Sequence, residues 1–133
     1  MADDVVLNKA ATIERCLRRV REEVAADPDL ADQTRQDAVV LNLQRACQAA
    51  IDLAMRRART GGVGVPQTSR DAFGLLVEAG GLPAPLGERM QRMVGFRNVA
   101  VHDYQAVSLP IVLSIIADHL GDFEAFARWA LGD

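Results

Sequence analysis

Cysteine and histidine are scarce, with two of each in 133 residues. Cys16 and Cys47 sit inside apolar periodic stretches and not in CxxC or Cys/His spacing, so neither a disulfide framework nor a zinc cluster has support. Both are expected as small core side chains. Aromatics are also few, with four Phe, one Trp and one Tyr, which predicts a mainly aliphatic core. Lys9 is the only lysine beside fourteen arginines, a bias attributed to composition. No apolar run approaches a membrane span, and the opening MADDVVLNKA lacks the basic and apolar regions of a signal peptide. A soluble cytoplasmic protein is expected. Positive charge is in deficit as well: eighteen acidic against fifteen basic residues give a net charge of −3. That balance argues against wrapping nucleic acid, so any nucleic-acid role needs a local basic patch.

The chain has enough apolar residues for a core: half are hydrophobic and a quarter charged, which predicts one globular domain over 1–133. Helical periodicity dominates. Val6, Ala10, Ile13, Leu17, Val20 and Val24 recur at steps of three and four, predicting a helix from Asp3 to about Ala25. Pro28 with its Asp neighbours marks a turn. A second pattern from Leu30 to about Arg59 gives a rod of roughly 45 Å that needs partners along its length. Thr68 and Asp71 resemble a capping box before a short helix over Ser69 to Ala79. A fourth helix is predicted from near Pro85 toward Val101. A fifth follows Ser108, its apolar face running from Leu109 to Ala130. No segment alternates as a strand does. The predicted fold class is therefore all-α, a bundle of about five helices with a four-helix core.

The chemistry-bearing stretch is Arg97-Asn98-Val99-Ala100-Val101-His102-Asp103-Tyr104. His can act as base or acid near neutral pH, activating a ribose 2′-hydroxyl or protonating a leaving 5′-oxygen. Arg can hold the phosphate and stabilise transition-state charge. Asn98 could orient His102 or the phosphate, and Tyr104 could hydrogen-bond the backbone or stack on a base. These groups suit RNA cleavage without a metal or cofactor, and no phosphate-cradling Gly loop, HExxH or GxSxG competes. On one straight helix Arg97 and Tyr104 would share a stripe, whereas Arg97 and His102 lie about 140° apart. Either the helix distorts near its end or a second chain completes the site. Structural roles stand beside these: His102 capping a helix end or pairing with Asp103, Arg97 in an interhelical salt bridge, and Tyr104 as a half-buried packing residue. His119 is expected at the surface or core edge.

That octapeptide resembles the Arg-x4-His-x-Tyr motif of the HepT toxins in the HEPN superfamily of helical ribonucleases. The likeness extends through QDAVVLNLQRACQAAIDLA, GVGVPQTSRDAFGLL, the Met-Val-Gly-Phe lead-in and HLGDFEAFARWAL, in order over most of the chain. The resemblance implies a HEPN-type bundle that forms a homodimer with a composite cleft. In it Arg97 and His102 are catalytic, Asn98 and Asp103 supporting, and RNA the substrate. It also implies an MntA-like minimal nucleotidyltransferase antitoxin as partner, which transfers AMP from ATP to Tyr104. Added bulk and negative charge there would oppose RNA phosphate.

One position departs from the family pattern: where relatives often carry Glu on the second helix, this chain has Gln48, with Asp52 one turn later as a possible substitute. Arg56, Arg57, Arg59, Arg89 and Arg92 are candidates for a local basic path, or for solvated helix faces. The alternative reading is a non-catalytic helical module that binds a nucleotidyltransferase.

Overall fold

In a computed structural model, which describes residues 3–132, every regular element is helical. Residues 1, 2 and 133, the ends of the expected domain, lie outside the described residues. Helix α1 spans Asp4–Ala26, α2 Gln33–Gly61, α3 Ser69–Ala79, α4 Ala84–His102, α5 Leu109–Asp118 and α6 Leu120–Leu131, with a short 3₁₀ turn at Tyr104–Ala106. Among the described residues no helix is long and apolar enough to cross a membrane.

Four of the six helices, α1, α2, α3 and α5, begin where a side chain satisfies a free N–H group. Asp3 accepts from the N–H groups of Val5 and Val6 and, through its other oxygen, from Arg56 Nε at 3.0 Å. The same carboxylate thus caps α1 and ties it to the far end of α2. The Arg56 hydrogen bond holds the Asp3 carboxyl below its ordinary value. Asp32, Thr68 and Ser108 cap α2, α3 and α5. Between α1 and α2, Leu30 adopts φ 48, a left-handed conformation costing an L-residue roughly 1–2 kcal/mol. Complete burial of its side chain offsets that cost with about 2 kcal/mol of hydrophobic stabilisation.

The 29-residue α2 is the central rod. It packs against α1, α3, α4 and α6, the multiple partners that its length requires. Cys16 and Cys47 are buried free thiols, as expected. The core is mostly aliphatic, but Phe73, Phe123 and Phe126 are also fully buried. Phe73 meets Phe126 edge-on at 5.1 Å between ring centroids, and Trp129 stacks on Phe126 at 5.8 Å. The aromatics are few but concentrated where α6 meets α3.

The expected fifth helix is two helices. Its apolar periodicity runs through, yet the ladder breaks at His119, whose φ of −126 and ψ of −1 lie outside the helical pair. His119 Nδ1 lies 2.9 Å from Asp122 Oδ2, and Arg89 Nε donates to Asp122 Oδ1 at 2.9 Å. Asp122 is buried in the first turn of α6, where the helix dipole and both partners stabilise a carboxylate. Redirecting the chain here raises the helix count from five to six, and leaves His119 at the core edge.

Two glycines test this packing. Ala is favoured over Gly in helices by roughly 0.5–1 kcal/mol. At Gly121 a Cβ meets nothing within 4 Å, so Gly121→Ala is expected to raise the melting temperature. At Gly87 it would lie 2.4 Å from Val77 Cγ2, so Gly87→Ala is expected to cost about 1–3 kcal/mol by overpacking α3 against α4. Thermal melts of the two variants should shift in opposite directions.

Candidate functional site

Helix α4 stops at His102 because Asp103 leaves the helical torsions, with φ −150 and ψ 66. The Asp103 N–H still donates to the Val99 carbonyl at 2.8 Å, while its own carbonyl accepts from Ala106 N–H at 2.9 Å. Tyr104 therefore opens the 3₁₀ turn and does not share a helical stripe with Arg97. The chain redirection carries its ring toward the start of α2, where the Tyr104 hydroxyl donates to Asp37 Oδ1. Gln33 Nε2 donates to the same oxygen at 2.9 Å.

At the other end of the motif, Arg97 is half-buried. Its Nη1 donates to Asn98 Oδ1 at 3.1 Å, and its shielded Nε has no hydrogen-bond partner among the described residues. Helix α4 packs on α2, near enough for the Arg97 charge to act on Cys47. Burial pushes the Cys47 thiol up to about 12, with the Arg97 charge acting in the opposite sense. Arg97 near Cys47 and Tyr104 bonded to Asp37 set α4 antiparallel to α2, with the motif laid along it. Asn98, His102 and Asp103 are exposed.

Among the described residues neither the His102 nor the Asp103 side chain forms a hydrogen bond or ion pair, and Arg97 forms no salt bridge. The structural alternatives of a His102–Asp103 pair and an interhelical Arg97 bridge are not formed. Asp103 contributes through its backbone, as the cap of α4. Because α4 stays helical through His102, the offset of about 140° between Arg97 and His102 persists in one protomer.

Asp52, considered as a replacement for the acid at position 48, is engaged elsewhere: it accepts from Gln48 Nε2 at 2.9 Å and pairs with Lys9 at 3.1 Å. Gln48 Oε1 is shielded and unpaired among the described residues. The proposed basic path is largely neutralised: Arg56 pairs with Asp3, Arg89 with Asp122, and Arg92 with Glu88. Two residues outside the motif join the site instead. Asp37 holds Tyr104, and Arg70 of α3 lays its guanidinium over Gly95, 2.8 Å from where a Cβ would stand. Gly95 shares a helical stripe with Asn98 and His102. Neither residue carried a sequence signal, since each acts across helices. At Gly95 a groove of about 560 Å³ opens between α4 and α5, lined by Phe96, Val99 and Ile111 among others.

An all-α bundle with an Arg, Asn and His constellation at the end of one helix, and a tyrosine on the turn beyond it, defines a protein of the HEPN type. Residues 10–129 match the family model described as Ribonuclease HepT-like, and the chain belongs to the HepT-like ribonuclease family. It is 45% identical over 125 residues to the mRNA nuclease HepT of Shewanella oneidensis, covering 93% of this chain and 94% of that one. It also superposes, with a TM-score of 0.91 and 42% identity over 98% of this chain and 99% of the other, on a tri-AMPylated Shewanella oneidensis HEPN toxin solved with an MNT antitoxin. A toxin-antitoxin structure with AMP-PNP gives the same TM-score and identity, over 98% of this chain and all of that one.

The Tyr104 contact has a direct spectroscopic test. Loss of solvation at the hydroxyl, then the hydrogen bond and charge of Asp37, push the Tyr104 phenol up to about 12. Its folded value lies above its unfolded one. The protonated phenol therefore contributes stability that is complete below about pH 10 and is lost as pH rises toward 12. Tyr104 is the only tyrosine, so phenolate absorbance reports this group alone. Asp37→Asn is expected to lower the titration midpoint, though not to the free-tyrosine value of about 10, because the solvation cause remains.

Proposed function

We propose that the protein is a metal-independent endoribonuclease toxin that acts as a homodimer, and that a nucleotidyltransferase antitoxin neutralises it by adenylylating Tyr104. The observation that carries this reading is the constellation at the end of α4, in a chain that matches HepT-like ribonucleases over nearly all of its length. His102 is free of intramolecular partners among the described residues and exposed, as a proton-transfer group must be. As base it takes the proton of a ribose 2′-hydroxyl, whose oxygen attacks the adjacent phosphorus and expels the 5′-oxygen; as acid it protonates that leaving oxygen. Arg97, with Nη1 tied to Asn98, stabilises the extra charge on the phosphate. Arg70 adds a cation on the stripe leading to His102.

The persistent 140° offset favours a two-protomer site. Across a twofold axis, the Arg97 of one chain can face the His102 of the other. Val99, Val101 and Ile111 are exposed apolar side chains on this end of the molecule, a surface suited to a second copy. Tyr104, 44% exposed, is open to an adenylyl-transferring partner. An added AMP phosphate there would repel RNA beside Arg97 and His102. The similarity to complexes described as tri-AMPylated and with an MNT antitoxin supports this regulation.

Inducing the wild type alone is expected to degrade cellular RNA, with Arg97→Ala and His102→Ala each slowing cleavage at least about 100-fold. Equal RNA survival in all three would favour the non-catalytic binding module. Co-expression with a cognate nucleotidyltransferase is expected to add whole adenylyl masses to the wild type and none to Tyr104→Phe. Equal modification of the two would remove Tyr104 as the acceptor.

A further inference from the structure

The assignment of Tyr104 as adenylyl acceptor leaves open what removes its proton. A neutral phenol is a weak nucleophile, and its O–H bond must break as the oxygen attacks phosphorus. The Tyr104 hydroxyl is already hydrogen-bonded to a carboxylate of its own chain, Asp37 Oδ1, contributed from 67 residues away. Gln33 Nε2 donates to that oxygen at 2.9 Å and fixes its orientation. Both Asp37 and Tyr104 are exposed, so a bound nucleotide can approach the phenol oxygen while the carboxylate remains behind it.

We propose that Asp37 is the general base for adenylylation of Tyr104, a catalytic group that the toxin itself supplies to its own inactivation. This rests on the reading of Tyr104 as the acceptor. ATP is the co-substrate, bound by the nucleotidyltransferase partner. A bond forms between Tyr104 Oη and the α-phosphorus, and the bond from that phosphorus to the bridging oxygen of the β-phosphate breaks. Diphosphate leaves with the electron pair, and the phenol proton passes to Asp37 and then to water.

The ground-state charges are arranged for this step. The hydrogen bonds from Tyr104, then from Gln33, hold the Asp37 carboxyl below its ordinary value, so it is ionised at neutral pH. The Tyr104 phenol stays protonated. Transfer becomes favourable only as the new phosphorus–oxygen bond drains charge from the phenol oxygen and acidifies its proton, the usual condition for general-base catalysis.

The test is single-turnover adenylylation of the full-length protein by its nucleotidyltransferase with ATP, read by intact mass and by peptide mapping at Tyr104. Asp37→Asn keeps a hydrogen-bond acceptor for the phenol but loses the base. It is expected to slow transfer about 100-fold with an unchanged KM for ATP, and Asp37→Glu should restore most of the rate. Melting temperatures check that both variants fold. Transfer to Asp37→Asn at the wild-type rate would overturn the proposal and assign the base to the partner enzyme. A slowed Asp37→Asn that Asp37→Glu fails to restore would overturn it in favour of a positioning role. If the wild type itself acquires no AMP at Tyr104, the acceptor assignment fails and the base falls with it.

Discussion

Helical geometry at the end of α4 sets the terms for everything else at this site. Two side chains five residues apart on an unbroken helix diverge by about 140°, and α4 remains unbroken through His102 before Asp103 turns the backbone out. Arg97 is thereby half-buried while His102 faces solvent. A cleavage site that needs a fixed cation and a mobile proton at one phosphate is incomplete on such a helix. On the proposed reading a twofold partner completes it, and the exposure of His102 and of the apolar side chains around it fits that reading.

The central rod α2 converts this local geometry into a positioned site. Its middle supplies the buried Cys47, which feels the Arg97 charge, and its first turns supply Asp37, to which Tyr104 is bonded. The groups proposed for cleavage and the tyrosine proposed as modification target thus both relate to one helix. The core that fixes the rod, from the Asp3–Arg56 bridge at one end to the Phe73–Phe126 contact, acts at a distance on where Arg97 and Tyr104 stand. On the proposed reading regulation and catalysis share a surface, and a modification at Tyr104 would act on the cleavage groups through charge and bulk.

Much of the fold was legible because it is written in period and caps. The stripe from Val6 to Val24, the Thr68 cap and the Ser108 start each rest on local chemistry, and α3 falls on its predicted residues. The split between α5 and α6 was not legible, since the apolar period continues across His119, and Asp122, which meets His119 at the break, has its other partner, Arg89, 33 residues before it. The motif residues were readable as types, and the resemblance supplied their roles. Their arrangement was not: Tyr104 leaves the helix through the backbone of Asp103, and Asp37 and Arg70 reach the site from other helices. The arginines chosen from charge runs turned out mostly paired, because a run records composition and not which carboxylate lies across the next helix.

An acidic protein with a net charge of −3 can still act on RNA if its uncompensated cations gather where two chains meet. The most direct measurement is RNA cleavage and native mass, followed together on one sample across a dilution series. Specific activity that falls in step with the dimer fraction is the predicted result. Full specific activity in a sample shown to be monomeric would contradict a site shared between protomers.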